Sequence, residues 1–358
     1  MIVLWGLSTE GPVRRVREEL EHMGQEVEIL DQWDAADMVV GLRVAGGVTG
    51  SIRAGDRVIE LDEITALYAR PYDWTQLCIA RGLEPGEAEW SRVRQAEEAL
   101  YAWWDVARGT IVNPPAAMAS NGSKPYQMTL IREAGLAIPA TLVTTDPAAA
   151  QAFWERHGVV VYKSVSGVRS HVARLTPERG ARLAEATACP TQFQEYIPGD
   201  DVRVHVIGEE VFATRIVTNA TDYRYAWREV GEEPKLHPCS LPEAVLESCV
   251  AVTAALGLRM SGVDLRRTPD GQWFCFEVNP SPGFTFYESE TGQPLAAATA
   301  RLLTGAQESR LKPPATIAAR RGVNSDLGLP DRPFIRREER PDVGQAAIDE
   351  LLARSSLT

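Results

Sequence analysis

Glu277 and Asn279 stand two residues apart near the end of the apolar stretch FCFEVNPSPGF, residues 274–284. In a strand that spacing puts both side chains on one face, because successive side chains alternate. Phe274, Phe276 and Val278 then form the opposite, apolar face. An acid beside an amide oxygen can hold a hard cation such as Mg²⁺, which takes few protein carboxylates and fills its shell with waters and phosphates. Asp264 lies on the preceding strand of the same expected hairpin, SGVDLRRTPDGQWFCFEVN. An even-length connection through TPDG places it beside Glu277; a three-residue turn with a bulge points it away. The alternative for the pair is a half-exposed sheet on which both simply face water.

Lys163 ends the apolar run VVVYK, directly before the small polar loop SVSGVRS. Backbone N–H groups and hydroxyls there, around Ser164, Ser166 and Gly167, can line a phosphate while lysine supplies charge. A lysine whose stem merely lies along the surface gives the same pattern. Lys124 follows a loop-like segment and opens a helical pattern, where it can reach a second phosphate or stay solvated. The segment QFQEYIPGDD can offer backbone groups to an adenine edge and an acid to ribose hydroxyls; an ordinary hairpin turn reads the same way. Arg203, Arg215 and Arg224 lie in or after the next strands and suit either an anionic ligand or surface ion pairs. His205 shares parity with Arg203 and reads as a packed ring rather than a base. No Ser-His-Asp set, HExxH or GxxxxGK[ST] is present.

The elements that must carry these residues follow from periodicity. MIVLWGL, the helical pattern from Val13 to Met23 with Gly24 as its stop, and EVEIL make a β-α-β opening, a parallel Rossmann-like layer. No GxGxxG follows its first strand. ITALYARPYDW predicts another strand, and 87–108 a long helix with Trp90, Val93, Leu100 and Trp104 on a core stripe. The Pro-, Asn- and Ser-rich segment 110–124 reads as a linker. Beyond it come a helix from Pro125 to Ala134, strands through 137–217, a helix from about Pro242 to Leu256, the hairpin, and a last helix stopped by Gly305. Three parts result: an α/β domain over 1–112, a second domain over 113–305, and an extension over 306–358 with one short helix at AAIDELLA.

Composition bounds the function. The 358 residues suffice for two or three cores, and the net charge of −12 argues against nonspecific binding of nucleic acid or anionic membrane. Five scattered cysteines without a CxxC pair fit reduced thiols. The start lacks the features of a signal peptide and no apolar run approaches a membrane span, so a cytoplasmic protein is expected.

In this order the motifs resemble the ATP-grasp superfamily. The likeness covers about 110–305, through NGSKPYQMTLIREAGLAIPATLVTT, VVVYKSVSG, QFQEYIPGDDVRVHVIGEEVFA, SGVDLRRTPDG and FEVNPSPGF. It is nearest to the glutamate ligases that modify ribosomal protein and to the microviridin-type peptide macrocyclases. The resemblance implies an α/β (α+β) ATP-grasp fold. Residues 1–112 are then the pre-grasp domain, with a nucleotide-clamping lobe over about 125–195 and a metal-binding lobe over about 196–305. It implies ATP and Mg²⁺, with Mn²⁺ as substitute, and a carboxylate–amine ligase acting through an acylphosphate on amino-acid or peptide substrates; the sequence leaves a homo-oligomer open. By position, Lys124, Lys163, Ser164, Ser166 and Gly167 serve the phosphates, while Glu195, Tyr196 and Ile197 serve adenine and Asp201 the ribose. Asp264, Glu277 and Asn279 become the metal ligands, and Arg215 and Arg224 the catalytic arginines. The phosphate loop has one glycine where many relatives have two or three. TDYRY replaces the glutamate ligases' Arg-Ser-Asn; its Asp222 and Arg224 match the macrocyclases' Asp-x-Arg, pointing to a peptide substrate. Other readings are a macrocyclase, a phosphotransferase on the same scaffold, and a non-catalytic nucleotide-binding module.

Overall fold

Strand β1 (Ile2–Gly6) and strand β2 (Val27–Asp31) run parallel, joined by the helix Gly11–His22. That helix buries Pro12, Val13, Val16 and Leu20, the helical spacing of one apolar stripe. Next come β3 (Met38–Val44), β4 (Val48–Ala54) and β5 (Arg57–Glu60), a three-stranded antiparallel sheet not anticipated from sequence. Only Met38, Ile52 and Ile59 of it are buried, and glycines interrupt the alternation, so its period-two signal is faint. Strands β6 (Ala66–Arg70) and β7 (Thr110–Val112) complete a parallel sheet in the order β2-β1-β6-β7. The helix Ala88–Trp104 buries Val93, Leu100 and Trp104 as expected, with Trp90 half-buried.

The structure is a computed structural model that describes residues 1–165, 172–184, 189–220, 223 and 226–307. The expected helix at AAIDELLA lies outside them. Among the described residues no helix is long and apolar enough to cross a membrane.

A second antiparallel sheet contains β8 (Thr141–Thr144), β9 (Val160–Ser164), β10 (Ala173–Arg174) and β11 (Thr191–Glu195), ordered β10-β9-β11-β8. It has its own small core, in which Ala150 of the helix Pro147–His157 meets Val160 and Phe193. The third sheet, in the order β14-β13-β12-β15-β16, is antiparallel. It is built from β12 (Asp200–Ile207), β13 (Glu210–Val217), β14 (Lys235–Cys239), β15 (Met260–Arg267) and β16 (Trp273–Asn279). The turn from β11 into β12 needs Gly199. Its φ is +145°, and a Cβ there would lie 2.1 Å from the Arg267 carbonyl oxygen.

β12 shows why the third sheet can carry a site. Val202, Val204 and Val206 face a core shared with Ile131 and Val252, from the helices Lys124–Glu133 and Glu243–Ala255. Arg203, His205 and Ile207 alternate to the other side, where Ile207 joins a cluster with Leu4, Tyr68 and Leu295. That cluster ties the parallel sheet to the third sheet and to the helices Thr285–Thr291 and Leu295–Thr304. Just past the last helix, Gln307 donates to the Ile207 carbonyl at 2.9 Å and accepts from the Glu209 N–H at 3.2 Å, so it packs onto the β12–β13 turn.

Candidate active site

The β15–β16 register places the acids. Arg267 pairs with Trp273 and Leu265 with Cys275; continued, that register would set Asp264 against Phe276. An irregularity between Asp264 and Leu265 shifts the pairing by one, so that Asp264 stands opposite Glu277 and Gly262 opposite Asn279. Directly opposed residues share a face, so Asp264, Glu277 and Asn279 lie together. This corrects the expectation that a bulge would point Asp264 away. The connection 268–272 has an odd number of residues, and the bulge restores the parity that the turn alone would lose. It also corrects the apolar face. Cys275 and Val278 are fully buried, whereas Phe274 and Phe276 are half-buried and Phe276 lines the cleft beside Glu277.

Each acid has a cation against it. Arg203, 7% exposed and directly across from Asp264 on β12, donates to its Oδ1 at 2.7 Å. Burial opposes the charge on Arg203, but Asp264, Tyr223, Tyr287 and Glu277 outweigh it and raise its pKa above the ordinary arginine value. Lys124 donates to Glu277 Oε1, and to Asn121 Oδ1 at 3.1 Å. Burial pushes Glu277 up, yet Lys124, Lys163 and Arg203 hold its carboxyl below the usual range, so it is ionised at neutral pH. His205 behind Arg203 is fully buried; burial, then the neighbouring guanidinium, pushes it down to about 3. It is therefore neutral, in line with a packed ring, and stacks edge-on against Tyr287 with centroids 4.9 Å apart.

Gly262 makes room for this arrangement. A Cβ there would come within 2.8 Å of the Pro282 Cβ and 3.0 Å of the Arg203 guanidinium carbon. Gly262→Ala is expected to lower unfolding free energy by about 1–3 kcal/mol through overpacking. Denaturant titration measures this, and an unchanged midpoint would show that Arg203 can step aside without cost.

Two buried amides aim the end of β16. Gln127 bonds both backbone groups of Val278, donating to its carbonyl at 2.7 Å and accepting from its N–H at 3.0 Å. The residue between Glu277 and Asn279 is thereby held on the outer edge of β16, which among the described residues pairs with no strand and is bridged only by Ala137 at Phe274. Asn113 donates to the carbonyls of Met260 and Pro280 at 2.8 and 2.6 Å, fixing the turn to the start of β15. Neither amide carries a local sequence signal. Arg203 was visible as a strand arginine, and only its partner sets it apart.

The remaining expected residues fall as follows. Lys163, Glu195, Tyr196, Ile197 and Asp201 line one cleft with Asp264 and Glu277. Glu195 turns its carboxylate away, accepting from the Ala140 N–H at 2.7 Å. Asp201 is held by Arg266 through two bonds, 2.8 and 3.0 Å, and Arg266 also donates to the Ile197 carbonyl at 2.9 Å. Ser164 is exposed at the end of β9. Arg215 is not brought to the acids: it is exposed and pairs with Val202, on the opposite face of the sheet from Arg203 and Asp264. Ser166, Gly167, Asp222 and Arg224 lie outside the described residues.

A lysine at the end of a strand, a hinge before β12 and a cross-strand pair of acids line one cleft between two antiparallel sheets, and the amide of Asn279 shares the acids' face of β16. The family model of the RimK-like ATP-grasp domain matches residues 121–303. The chain belongs to this family. Within ATP-grasp chains it is 29% identical over 196 residues to a probable alpha-L-glutamate ligase of Pasteurella multocida (strain Pm70), covering 52% of this chain and 61% of that protein. It is 28% identical over 202 residues to one of Haemophilus influenzae (strain ATCC 51907 / DSM 11121 / KW20 / Rd), covering 53% and 65%. The chain thus spans less than about two-thirds of the length of these curated relatives. Among solved structures it resembles the macrocyclase MdnC bound with precursor peptide MdnA from Microcystis aeruginosa MRC. There the TM-score is 0.71 at 24% identity, over 86% of this chain and all of that one (100%). The ATP-grasp ligase PsnB complexed with minimal precursor gives 0.71 at 27% identity, over 86% and 99%. The fold is the ATP-grasp fold.

Proposed function

We propose that the protein is an ATP- and Mg²⁺-dependent ligase that joins a carboxylate to an amine through an acylphosphate, acting on a peptide. The observation that carries this is the single face on which Asp264, Glu277 and Asn279 meet, with Lys124, Lys163 and Arg203 around them. The donor set fits magnesium: all oxygen, two carboxylates and an amide, with room left for phosphate and water. Among the described residues no cluster of three or more His, Cys, Asp or Glu forms, so the cation's other ligands would come from nucleotide and solvent. When bound, magnesium would neutralise charge on the phosphate oxygens.

The chain's own residues do the rest in this reading. Tyr196 and Ile197 seat the adenine by backbone groups, and Asp201, oriented by its two bonds from Arg266, faces the ribose. Lys163 and Lys124 offset negative charge as a substrate carboxylate oxygen attacks the terminal phosphorus and ADP leaves. The amine nitrogen then attacks the acyl carbon, a proton is lost from nitrogen, and phosphate departs. Arg203, rather than Arg215, is the described arginine facing the acids, and Arg224 with Asp222 is retained for the acceptor side. Tyr223 and Tyr287, whose hydroxyls lie 3.0 Å apart, stay protonated because burial raises both, and they wall off water beside Arg203.

A peptide substrate is favoured over a lone amino acid by the Asp222-x-Arg224 spacing and by the likeness to PsnB complexed with minimal precursor, 27% identical over 86% of this chain. Ring closure within one peptide is therefore the second reading. Incubation with ATP, Mg²⁺ and candidate peptides, followed by mass measurement, separates the outcomes. Loss of one water from a single peptide indicates ring closure, and two acceptors joined less one water indicate ligation. A stable phosphate adduct would make the protein a kinase instead.

A further inference from the structure

A second cleft, of ≈ 490 Å³, opens at the carboxyl ends of β1, β6 and β7, the edge where open parallel sheets receive ligands. Its wall is aromatic: Tyr72, Tyr101 and Trp104 line it together with Met118. Tyr101 and Trp104 stack with centroids 5.6 Å apart, and Tyr72 is 49% exposed. The polar side of the cleft is Arg70, whose Nε and one terminal nitrogen donate to the Glu10 carboxylate at 2.8–3.1 Å. Its other terminal nitrogen donates to Ser281 Oγ at 3.0 Å and to the Pro282 carbonyl at 3.1 Å. Both members of the ion pair are nearly buried, at 11% and 14% side-chain exposure.

Two consequences follow from this lining. The cationic side chain is neutralised and most of its donors are occupied, so the cleft offers no net positive charge to a free α-carboxylate or a glutamate side chain. Its size and aromatic wall suit a large apolar group. Continuity with the acid face supplies the occupant. Ser281 borders the cleft, and its N–H donates to Asn279 Oδ1 at 2.9 Å. They stand two positions apart, a reach of at most about 7 Å. A chain whose reacting group lies at Asn279 would place a neighbouring side chain here.

We infer that this cleft seats an apolar or aromatic side chain of the peptide substrate, on a residue flanking the one that reacts. This rests on the peptide-ligase reading, but its test requires no turnover. N-acetyl-L-phenylalanine amide, L-glutamate and N-acetyl-L-glutamic acid amide are titrated into the full chain and followed by saturation-transfer NMR, with and without Mg·ADP. The phenylalanine probe is expected to bind in the low-millimolar range with and without Mg·ADP, and neither glutamate probe to bind. Tyr72→Ala should weaken the phenylalanine probe roughly fivefold, as expected for loss of one aromatic contact. Tyr72→Glu should abolish its binding and Tyr72→Phe restore it. Tyr72 is half-exposed, so these variants should fold, and thermal denaturation checks that they do. Tighter binding of either glutamate probe, displacement by Mg·ADP, or indifference to Tyr72→Ala overturns the inference. Tyr72-dependent binding in a protein that makes no ligated product would leave this cleft standing and remove the ligase reading.

Discussion

Asn279→Ala is expected to cut ADP release from Mg·ATP by at least about 10³-fold, since a metal ligand contributes several kcal/mol to a phosphoryl-transfer transition state. The fold should survive, because among the described residues the amide's one hydrogen bond is accepted from the nearby Ser281 N–H. Glu277→Gln should lose turnover to a similar degree while leaving an oxygen for Lys124. Glu277→Ala differs. It strands Lys124, 6% exposed, without its carboxylate, and an unpaired buried charge costs about 3–5 kcal/mol. That variant should therefore lose stability as well as turnover. Activity assays paired with thermal denaturation separate the effects; wild-type turnover in an Asn279→Ala, Glu277→Gln double variant would falsify the metal assignment.

The second large effect lies away from the site. Glu97, fully buried in the helix Ala88–Trp104, accepts from Gln32 at 3.0 Å through one oxygen, while the other has no hydrogen-bond partner among the described residues. Burial raises it to about 7, against a partial lowering by Gln32. A carboxyl whose folded pKa is raised binds more protons folded than unfolded. Stability is therefore lost as pH climbs from the ordinary value of 4.5 through about 7. The full loss above that window is on the order of 3 kcal/mol. Glu97→Gln keeps the acceptor for Gln32 and removes the charge. Its melting temperature at pH 8 should exceed wild type by roughly 5 °C or more, and the difference should vanish near pH 5. His205 contributes with the opposite sign, since its lowered folded pKa costs stability as pH falls below 6.5. The test is accordingly the difference between variant and wild type, not the wild-type curve. A pH-independent difference would mean that Glu97 is solvated. The same Gln32 exchanges hydrogen bonds with the Tyr72 backbone at 2.7 and 3.1 Å, so the variant also reports on the wall of the aromatic cleft.

Much of the fold could be read along the chain. The helix expected from Pro125 forms from Lys124, and that expected from about Pro242 forms from Glu243; the last stops at Gly305. Apolar period and glycine stops are local properties, and each of these helices has both. The three-stranded sheet β3–β5 escaped because one buried residue per strand leaves almost no periodic signal. Phe274 and Phe276 were placed on the wrong face for another reason: alternation counts residues, and a bulge adds one without marking itself in the sequence.

Within the site the division is similar. Residue types and spacing alone established a period-two acid and amide, a lysine at a strand end before a Ser/Gly loop, and the order of motifs that marks an ATP-grasp chain. They could not decide whether Asp264 joins Glu277, because hairpin parity depends on the turn and the bulge together. Nor could they rank Arg203 above Arg215, which differ in sequence only by strand position. Only the assembled sheet sets one arginine against Asp264 and the other on the far face. Likewise Lys124 meets Glu277, and Gln127 meets Val278, across more than half of the matched domain. Periodicity is written residue by residue, whereas register and the pairing of buried charges arise when distant strands and helices close around one another. That closure turns an acid, an amide and scattered cations into a single face.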